Sequence, residues 1–256
     1  MSSVAELHLV ALPDFPQVQS GDDLAGLTVA ALERGSLQLR IGDALVFAQK
    51  VISKAEGRQI ELASIVPGAQ ALELARTVQK DPRLVELVLR ESRRIVRAAK
   101  DVLIVEHRLG LIMANAGIDQ SNVAGPGTDC ALLLPENPDA SATRLRERLS
   151  ALTGCEPAVI ISDSFGRPWR VGTVGVAIGC AGLAATHDLR GQTDLFGRPL
   201  RVTIVGHADE IASAASILMG QASEARPVIL VRGLPRRAPH QPATALLRPP
   251  AEDLFR

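Results

Sequence analysis

The residues best suited to chemistry lie in three stretches where carboxylates, amides and hydroxyls stand beside glycines. These stretches are Ala114–Asn122, Ile161–Arg170 and Asp188–Arg201. The second and third share the pattern Asp-x-Phe-Gly-Arg-Pro-x-Arg, at Asp163–Arg170 and Asp194–Arg201. Hard cations such as Mg²⁺ and Mn²⁺ bind carboxylate oxygens together with phosphate oxygens and water. We therefore interpret these stretches as a site for metal and phosphate.

Two carboxylates in these stretches, Asp119 and Asp163, each follow an apolar run that predicts a strand. Carboxylates at strand ends of one sheet can converge on cations, and two cations about 3.5–4 Å apart can stabilise both ends of a phosphoryl transfer. Ser164 follows directly and adds a hydroxyl. The alternative is that each aspartate caps its own backbone in a turn. The residues alone leave both interpretations open.

Basic residues and the repeated pattern have two interpretations each. Lys50 and Lys54, near the end of a strand predicted at Ala44–Ile52, could bind an anion or be solvated. The units Phe165–Pro168 and Phe196–Pro199 predict hairpin turns, because glycine permits unusual φ angles and proline fixes the entry to the next strand. Their arginines could still face an anionic ligand.

Composition disfavours several classes of function. The 256-residue chain has 28 Lys+Arg and 28 Asp+Glu, so no net field favours nucleic acid or an anionic membrane. Aromatic residues make up 2% and tyrosine is absent, which leaves too few to stack single-stranded nucleic acid. Three scattered cysteines, Cys130, Cys155 and Cys180, indicate neither a disulfide framework nor a zinc site.

Signatures of export and of several enzyme classes are also lacking in the sequence. The N-terminus has no basic and apolar regions typical of a signal peptide, and no run is apolar enough to span a membrane, so we expect a cytoplasmic protein. The sequence contains no Gly-x-Ser-x-Gly and no P-loop pattern. No protein nucleophile is visible, so no residue is assigned that role.

Strands and helices interleave irregularly and without a glycine fingerprint, which predicts an α+β fold of mixed sheets with flanking helices. Residues 69–100 are predicted as two helices, the second with a solvated basic face from Arg90 to Lys100. Ala124–Asp129 is expected to be a flexible turn, and Arg201–Val205 a strand. Residues 234–256, rich in proline and arginine, are predicted to be an irregular tail, extended or disordered.

Several motifs together resemble the coenzyme F420-0:γ-glutamyl ligases, from about Leu12 to Gly233. The matching segments are Ser53–Arg58, Ala114–Asn122, Leu132–Glu136 with Pro138–Ser141, Ser162–Arg170 with Gly172-Thr173 and Gly175–Gly179, and Asp188–Gly191. The motifs are long and specific as a set.

The resemblance implies a GTP-dependent amide ligase of F420 biosynthesis. In that family the γ-phosphate of GTP activates a carboxylate of F420-0 as an acyl phosphate, and the amino group of L-glutamate then displaces phosphate. Mg²⁺ or Mn²⁺ at two sites and K⁺ assist. The resemblance further implies a two-lobed protomer that forms an intertwined homodimer. Residues 1–233 would be one functional unit, in the stand-alone form that lacks the flavin domain of some members.

The resemblance also implies roles for individual residues. Asp119 and Asp163 correspond to metal ligands, and Ser164 to a ligand of a second metal. The GTP site would comprise Leu12, Pro13, Asp14, Phe15, Gln49, Lys54 and Asn122. Gln49 stands where many members have serine, which weakens its assignment. As a separate hypothesis, Arg167, Arg170 and Arg190 could hold the acceptor's phosphodiester and glutamyl tail, because arginine binds such anions in a bidentate manner.

Two other functions remain as alternatives. One is a non-catalytic module that binds deazaflavin or nucleotide and delivers it to a partner. The acidic loops speak against it, because anionic ligands would be repelled there without metal. The other is a ligase that uses the same activation on a different acceptor carboxylate.

Overall fold

The computed structural model describes residues 5–123, 128–235 and 240–253. The α+β prediction is confirmed. The α-helices of these residues are α1 Leu24–Arg34, α2 Gln49–Ala55, α3 Ala69–Val78, α4 Pro82–Arg90, α5 Pro138–Thr153 and α6 His207–Met219. Their strands are β1 His8–Ala11, β2 Ala44–Ala48, β3 Gln59–Glu61, β4 Ser92–Ala99, β5 Val102–His107, β6 Ile112–Ala114, β7 Cys130–Leu132, β8 Ala158–Arg167, β9 Arg170–Ala181, β10 His187–Asp188, β11 Ile204–Val205 and β12 Val228–Arg232. Among the described residues, no helix is both long and apolar enough to cross a membrane.

A mixed five-stranded sheet in the order β1-β12-β2-β8-β9 forms the centre of the molecule. Strands β2 and β8 are parallel, and the other neighbouring pairs are antiparallel. Alternating side chains point to opposite faces of a strand. Phe47 and Ile161 therefore pack with α1 and α5 on one face, whereas Val46 and Ile160 pack with α6 on the other. Both faces are covered, which accounts for the nearly continuous apolar character of these strands.

A second hydrophobic core lies under α3 and α4. It includes Leu62, Val85, Leu103 and Val105, and the sheets β3–β7 and β4–β5–β6 contribute to it. Helices α3 and α4 with these two sheets form a smaller lobe. It holds the backbone of Asp119, whose N–H and C=O groups both bond to Leu132 of β7, at 3.0 and 2.8 Å.

Partly buried ion pairs connect the smaller lobe to the chain that leaves α2. Arg58 contacts the carboxylate of Glu91 at 3.0 Å, and Arg108 contacts the same carboxylate at 3.1 Å. Burial alone would raise the pKa of Glu91, but His107 at 3.4 Å and the charges of Arg108 and Arg58 lower it to about 2. Arg58 also donates to the Leu134 carbonyl at 2.9 Å. These contacts fix α2 relative to the lobe that carries Asp119.

The outer edge of the central sheet is covered by carboxylates and by the C-terminal segment. Strand β9 is the edge strand, and its Ala177 and Cys180 N–H groups donate to Asp209 and Asp139. Asp139 also accepts from the Ala243 N–H at 2.7 Å. An open edge strand offers unpaired N–H and C=O groups to other chains. These contacts provide hydrogen-bond partners for some of the unpaired N–H groups of β9.

Two glycines in β9 allow helices to approach its backbone. A Cβ at Gly175 would clash with the Ala212 carbonyl of α6, and one at Gly179 would clash with the Pro138 carbonyl of α5. Ser213 of α6 also donates to the Gly175 carbonyl at 2.7 Å. Helix α6 can therefore lie this close to the sheet only because residue 175 is a glycine and has no Cβ.

Two element predictions are wrong in type. The strand predicted through Ile52 ends at Ala48, and α2 begins at the next residue. Val51 and Ile52 are buried on this short helix, so packing outweighs their preference for strands. The second helix predicted within residues 69–100 ends at Arg90, and Ser92–Ala99 is β4, paired with β5. The arginines of β4 therefore lie on a strand, whereas the prediction placed them on the face of a helix.

Other predictions hold in part. The strand predicted over Arg201–Val205 is reduced to Ile204–Val205, paired with His187–Asp188. The expected disorder of the C-terminal tail does not hold for residues 240–253, because they form short 3₁₀ turns and Ala243 is buried. Residues 124–127 of the predicted turn, and residues 236–239 and 254–256 of the tail, lie outside the described residues.

Candidate active site

The candidate site lies where β2 ends and its parallel pairing with β8 stops, while β8 continues to Arg167. The two strands are parallel, and the last pair in their register is Ala48 with Ser162. Helix α2 begins directly after Ala48, and Asp163 directly follows Ser162. Ligands of mixed and parallel sheets bind preferentially at the carboxyl ends of strands. The connectivity therefore brings the start of α2 and Asp163 together at such an end.

Asp119 reaches this place from the smaller lobe through an unusual turn. Asn115, Ala116 and Gly117 have φ angles of 51°, 54° and 66°, a left-handed conformation that costs energy outside glycine. The Asp119 carboxylate accepts from Gln49 Nε2 at 3.0 Å and lies 3.4 Å from Lys50 Nζ. It contacts α2 through side chains, which disfavours the interpretation of Asp119 as a turn cap.

The two candidate carboxylates repel each other. Burial and then the charge of Asp119 raise the pKa of Asp163 to about 7, while its hydrogen bond with the Ser164 N–H and the charge of Lys50 oppose the rise. Burial also raises the pKa of Asp119, against the charge of Lys50 and the hydrogen bond from Gln49. A pair that resists ionisation when alone is suited to a cation, which would remove the repulsion.

The cationic side of the site lies on α2, where Lys50 and Lys54 are one helical turn apart. Lys50 donates to the Ser121 carbonyl and hydroxyl, both at 3.1 Å. Lys54 donates to the Asn122 carbonyl at 2.7 Å. Burial, followed by the charge of Lys50, lowers the pKa of Lys54. Both lysines thus hold the loop after Asp119, and Lys50 places its positive charge beside the acidic pair.

The loop between α6 and β12 also contributes, and the sequence reasoning missed it. Ser164 Oγ donates to Gln221 Oε1 at 2.7 Å, and Asn122 Nδ2 donates to the Ala222 carbonyl at 2.8 Å. Asn122 itself has a φ of 57°. Gln221 lies in a segment without a recognisable motif, so only the fold could reveal it. This loop therefore joins two predicted site residues.

The donor set fits a hard divalent cation. Within the described part of the chain no group of three or more His, Cys, Asp and Glu side chains is placed to hold a metal. The acidic pair and the Ser164 hydroxyl would supply part of a coordination shell, with phosphate and water oxygens completing it. Mg²⁺ commonly binds in this way, through one or two carboxylates and substrate phosphates.

The N-terminal segment predicted to contact nucleotide lies at the same end of the sheet. Leu12 follows β1 and bonds to the Val228 carbonyl at 3.0 Å. Leu12 is buried, Phe15 packs against the core, and Pro13 is half-buried. Asp14 is exposed, with a φ of 48°, and its carbonyl accepts from Arg34. Of these side chains, Asp14 is the most accessible to a ligand.

The three arginines of the acceptor hypothesis have different surroundings. Arg167 ends β8 and is paired in register with Arg170, so the loop between them is Pro168-Trp169. Arg167 Nη1 is buried without a hydrogen-bond partner, and Arg170 is exposed. Arg190 binds the neighbouring Asp188 through its guanidinium, which lowers the pKa of Asp188 to about 2. Arg190 is therefore already paired locally.

Comparisons with known proteins identify the family of the chain. A coenzyme F420:L-glutamate ligase of Methanothermobacter thermautotrophicus is 45% identical over 252 residues, covering 98% of this chain and 99% of that protein. The enzyme of the same name from Methanopyrus kandleri is 45% identical over the full length of both. That of Methanocaldococcus jannaschii is 44% identical over 84% of this chain and 85% of its own. The sequence model described as F420-0:Gamma-glutamyl ligase matches residues 14–233, and the chain belongs to this family.

Proposed function

We propose that this protein is a GTP-dependent ligase that adds L-glutamate to coenzyme F420-0 through γ-linked amide bonds. Family membership supports the ligase activity and its place in F420 biosynthesis. The observation that carries the mechanism is the acidic pair, Asp119 and Asp163, next to Lys50 at the carboxyl end of β2, with Lys54 one helical turn further along α2. A group of like charges with adjacent cations suits metal-assisted phosphoryl transfer.

The reaction has two steps. An oxygen of the acceptor carboxylate attacks the γ-phosphorus of GTP, so that GDP leaves and an acyl phosphate forms. The uncharged amino group of L-glutamate then attacks the acyl carbon, inorganic phosphate leaves, and the amine loses a proton as the amide forms. Neither step needs a protein nucleophile. The protein's contribution is to position the reactants and to stabilise developing negative charge.

Residues of this site have separate tasks in that scheme. Asp119, Asp163 and Ser164 would hold Mg²⁺ or Mn²⁺, at two sites, and bound cations would neutralise the transferring phosphoryl group. Lys54, with Lys50, would bind GTP phosphates, since a lysine acts there as a compact positive charge. Gln49 would orient Asp119 through their 3.0 Å hydrogen bond. We also propose K⁺ as a second type of cation and Asn122 as a GTP contact.

We further propose that the protein acts as a homodimer. Large apolar side chains are almost fully exposed near the two copies of the repeated pattern. They are Trp169, Val171, Leu195, Phe196 and Val202, with exposed fractions between 81% and 103%. Clusters of exposed apolar side chains of this size indicate an interaction surface. A second copy of the chain is the partner that the family resemblance implies.

The decisive experiment incubates the purified protein with F420-0, GTP, L-glutamate and Mn²⁺. We expect a product heavier than F420-0 by one glutamyl residue, together with GDP and phosphate in equal amounts. Parallel reactions with ATP and with other acceptor acids establish the nucleotide and acceptor. Retention of F420-0 or GTP without any product would instead favour the non-catalytic binding module.

A further inference from the structure

A cavity of about 250 Å³ lies at the edge of the central sheet that β9 forms. Its walls come from the turn between β5 and β6, from β8 and β9, and from the docked C-terminal segment. The apolar side chains that line it include Leu111, Ile112, Phe165, Val176, Leu246 and Leu247. None of the roles proposed above uses this cavity.

The cavity and the lysines lie on opposite sides of β8. Val176, which lines the cavity, is the register partner of Asp163. Phe165 lies two residues beyond Asp163 on the same face of β8, so their Cα atoms are roughly 6–7 Å apart. Lys50 and Lys54 lie on α2, which follows β2, the other neighbour of β8. A phosphoryl donor held by the lysines and a second molecule in the cavity would therefore meet at Asp163.

The lining favours a flat, weakly polar group over a charged one. Phe165 is one of only five phenylalanines in a chain with 2% aromatic residues. The charged lining residues are Asp209, Arg248 and Asp253. Asp209 already accepts from the Ala177 N–H at 2.9 Å. One arginine facing two carboxylates is a poor match for L-glutamate, which brings two carboxylates and one amine.

We propose that this cavity binds the ring system of the acceptor, with residues 243–253 as its outer wall. The inference rests on the proposed function, because the acceptor's carboxylate must reach Asp163 while its heteroaromatic ring occupies the cavity. Binding sites for small molecules are mostly apolar clefts with few polar groups. A cavity of this volume takes the ring end and leaves the phosphodiester and the reacting carboxylate outside.

Leu246→Arg tests the proposal by placing a long charged side chain in the cavity. The deazaflavin ring fluoresces, so fluorescence anisotropy gives the Kd of F420-0 without any reaction. We expect a Kd at least tenfold weaker than that of the wild-type protein, with the KM values for GTP and L-glutamate within twofold. Ala245→Arg is the matched control, because Ala245 is exposed and does not line the cavity. It should bind F420-0 as the wild-type protein does.

A second variant guards against misfolding of the first. Phe165→Leu keeps the cavity apolar but removes its aromatic ring, and we expect F420-0 binding to weaken several-fold. Unchanged F420-0 affinity in both variants, or a selective rise in the KM for L-glutamate, would overturn the proposal. Wild-type protein that binds F420-0 tightly, loses that binding in Leu246→Arg, and forms no glutamate adduct would refute the ligase function alone.

Discussion

The two copies of Asp-x-Phe-Gly-Arg-Pro-x-Arg share their letters but not their surroundings. Asp163 is half-buried, faces the charge of Asp119, and has a pKa raised to about 7. Asp194 is exposed, and its carboxylate accepts from the Phe196 and Arg198 N–H groups at 2.9 Å each. The same residue type thus occupies an electrostatically strained position in one copy and a relaxed turn in the other.

The difference lies in what each strand is attached to. The first copy continues β8 out of the central sheet, so Asp163 emerges beside α2 and the smaller lobe. The second copy follows the short β10 and closes on itself through a bridge between Thr193 and Pro199. A sequence pattern of this kind predicts the local geometry of a turn. The chemistry of the residues in the turn depends on the elements that surround it.

Replacing the two aspartates gives the largest contrast. Asp163→Asn should lower kcat by about a thousandfold, because the proposed metal site loses a charged ligand. Asp194→Asn keeps an oxygen that can accept the same backbone hydrogen bonds, so its kcat should stay within twofold. Steady-state kinetics with Mn²⁺, GTP and F420-0 check both. Equal losses in the two variants would remove the distinction between the copies.

Asp163→Asn should increase the stability of the metal-free protein, although it lowers the activity. Asp163 has a folded-state pKa of about 7, whereas an unperturbed aspartate has a pKa of about 3.9, so its ionisation opposes folding increasingly as the pH rises from about 4 to 7. Above pH 7, Asp163→Asn should therefore raise the free energy of unfolding by about 2 kcal/mol, roughly half of the full linkage value because the carboxylate is partly exposed.

Thermal unfolding in a chelator at pH 5 and pH 8 measures this effect. The melting temperature of Asp163→Asn should exceed that of the wild-type protein by roughly 4–8 °C at pH 8, and by much less at pH 5. Added Mn²⁺ should raise the melting temperature of the wild-type protein and not that of the variant. A variant less stable than the wild-type protein at pH 8 would show that Asp163 is not strained.

The lysines of α2 are a further difference between the surroundings of Asp163 and those of Asp194. Lys54→Ala should weaken GTP binding about tenfold, because the partly buried cation that we propose as a phosphate ligand is lost. Lys100→Ala, which removes an exposed lysine, serves as the control. Isothermal titration calorimetry with a non-hydrolysable GTP analogue measures both. Unchanged affinity in Lys54→Ala would remove Lys54 from the nucleotide site.

The second copy should matter for association, where the first matters for chemistry. Phe196 is 94% exposed at the tip of its turn. Phe196→Ser should weaken the proposed dimer several-fold, because an apolar side chain would no longer be buried between the subunits. Sedimentation equilibrium measures the dissociation constant, with Asp194→Asn as the control. A dimer unaffected by Phe196→Ser would place the interface elsewhere.

The sequence singles out Asp119 and Asp163, which the fold brings together, but it does not predict the elements that position them. Helix α5 has local sequence signals at both ends, because Asn137 caps its N-terminus and Gly154 adopts a φ of 68° after it. The type of α2 is missed, because its apolar β-branched residues also suit a strand. The role of Gln221 is invisible in the sequence, since it depends on α6 returning the chain to Ser164. Long-range placement of this kind has no local signal.

The covered edge of β9 has a consequence for the protein while it is being synthesised. Residues 240–253 emerge from the ribosome after the whole central sheet, so for a time they cannot shield β9. Asp139 and Asp209 belong to α5 and α6, which precede that segment, and their carboxylates already occupy two outward N–H groups of the strand. These two N–H groups are therefore unavailable to a neighbouring nascent chain, and the carboxylates place negative charge beside them. Both effects oppose the addition of a foreign strand to β9, which could otherwise begin aggregation.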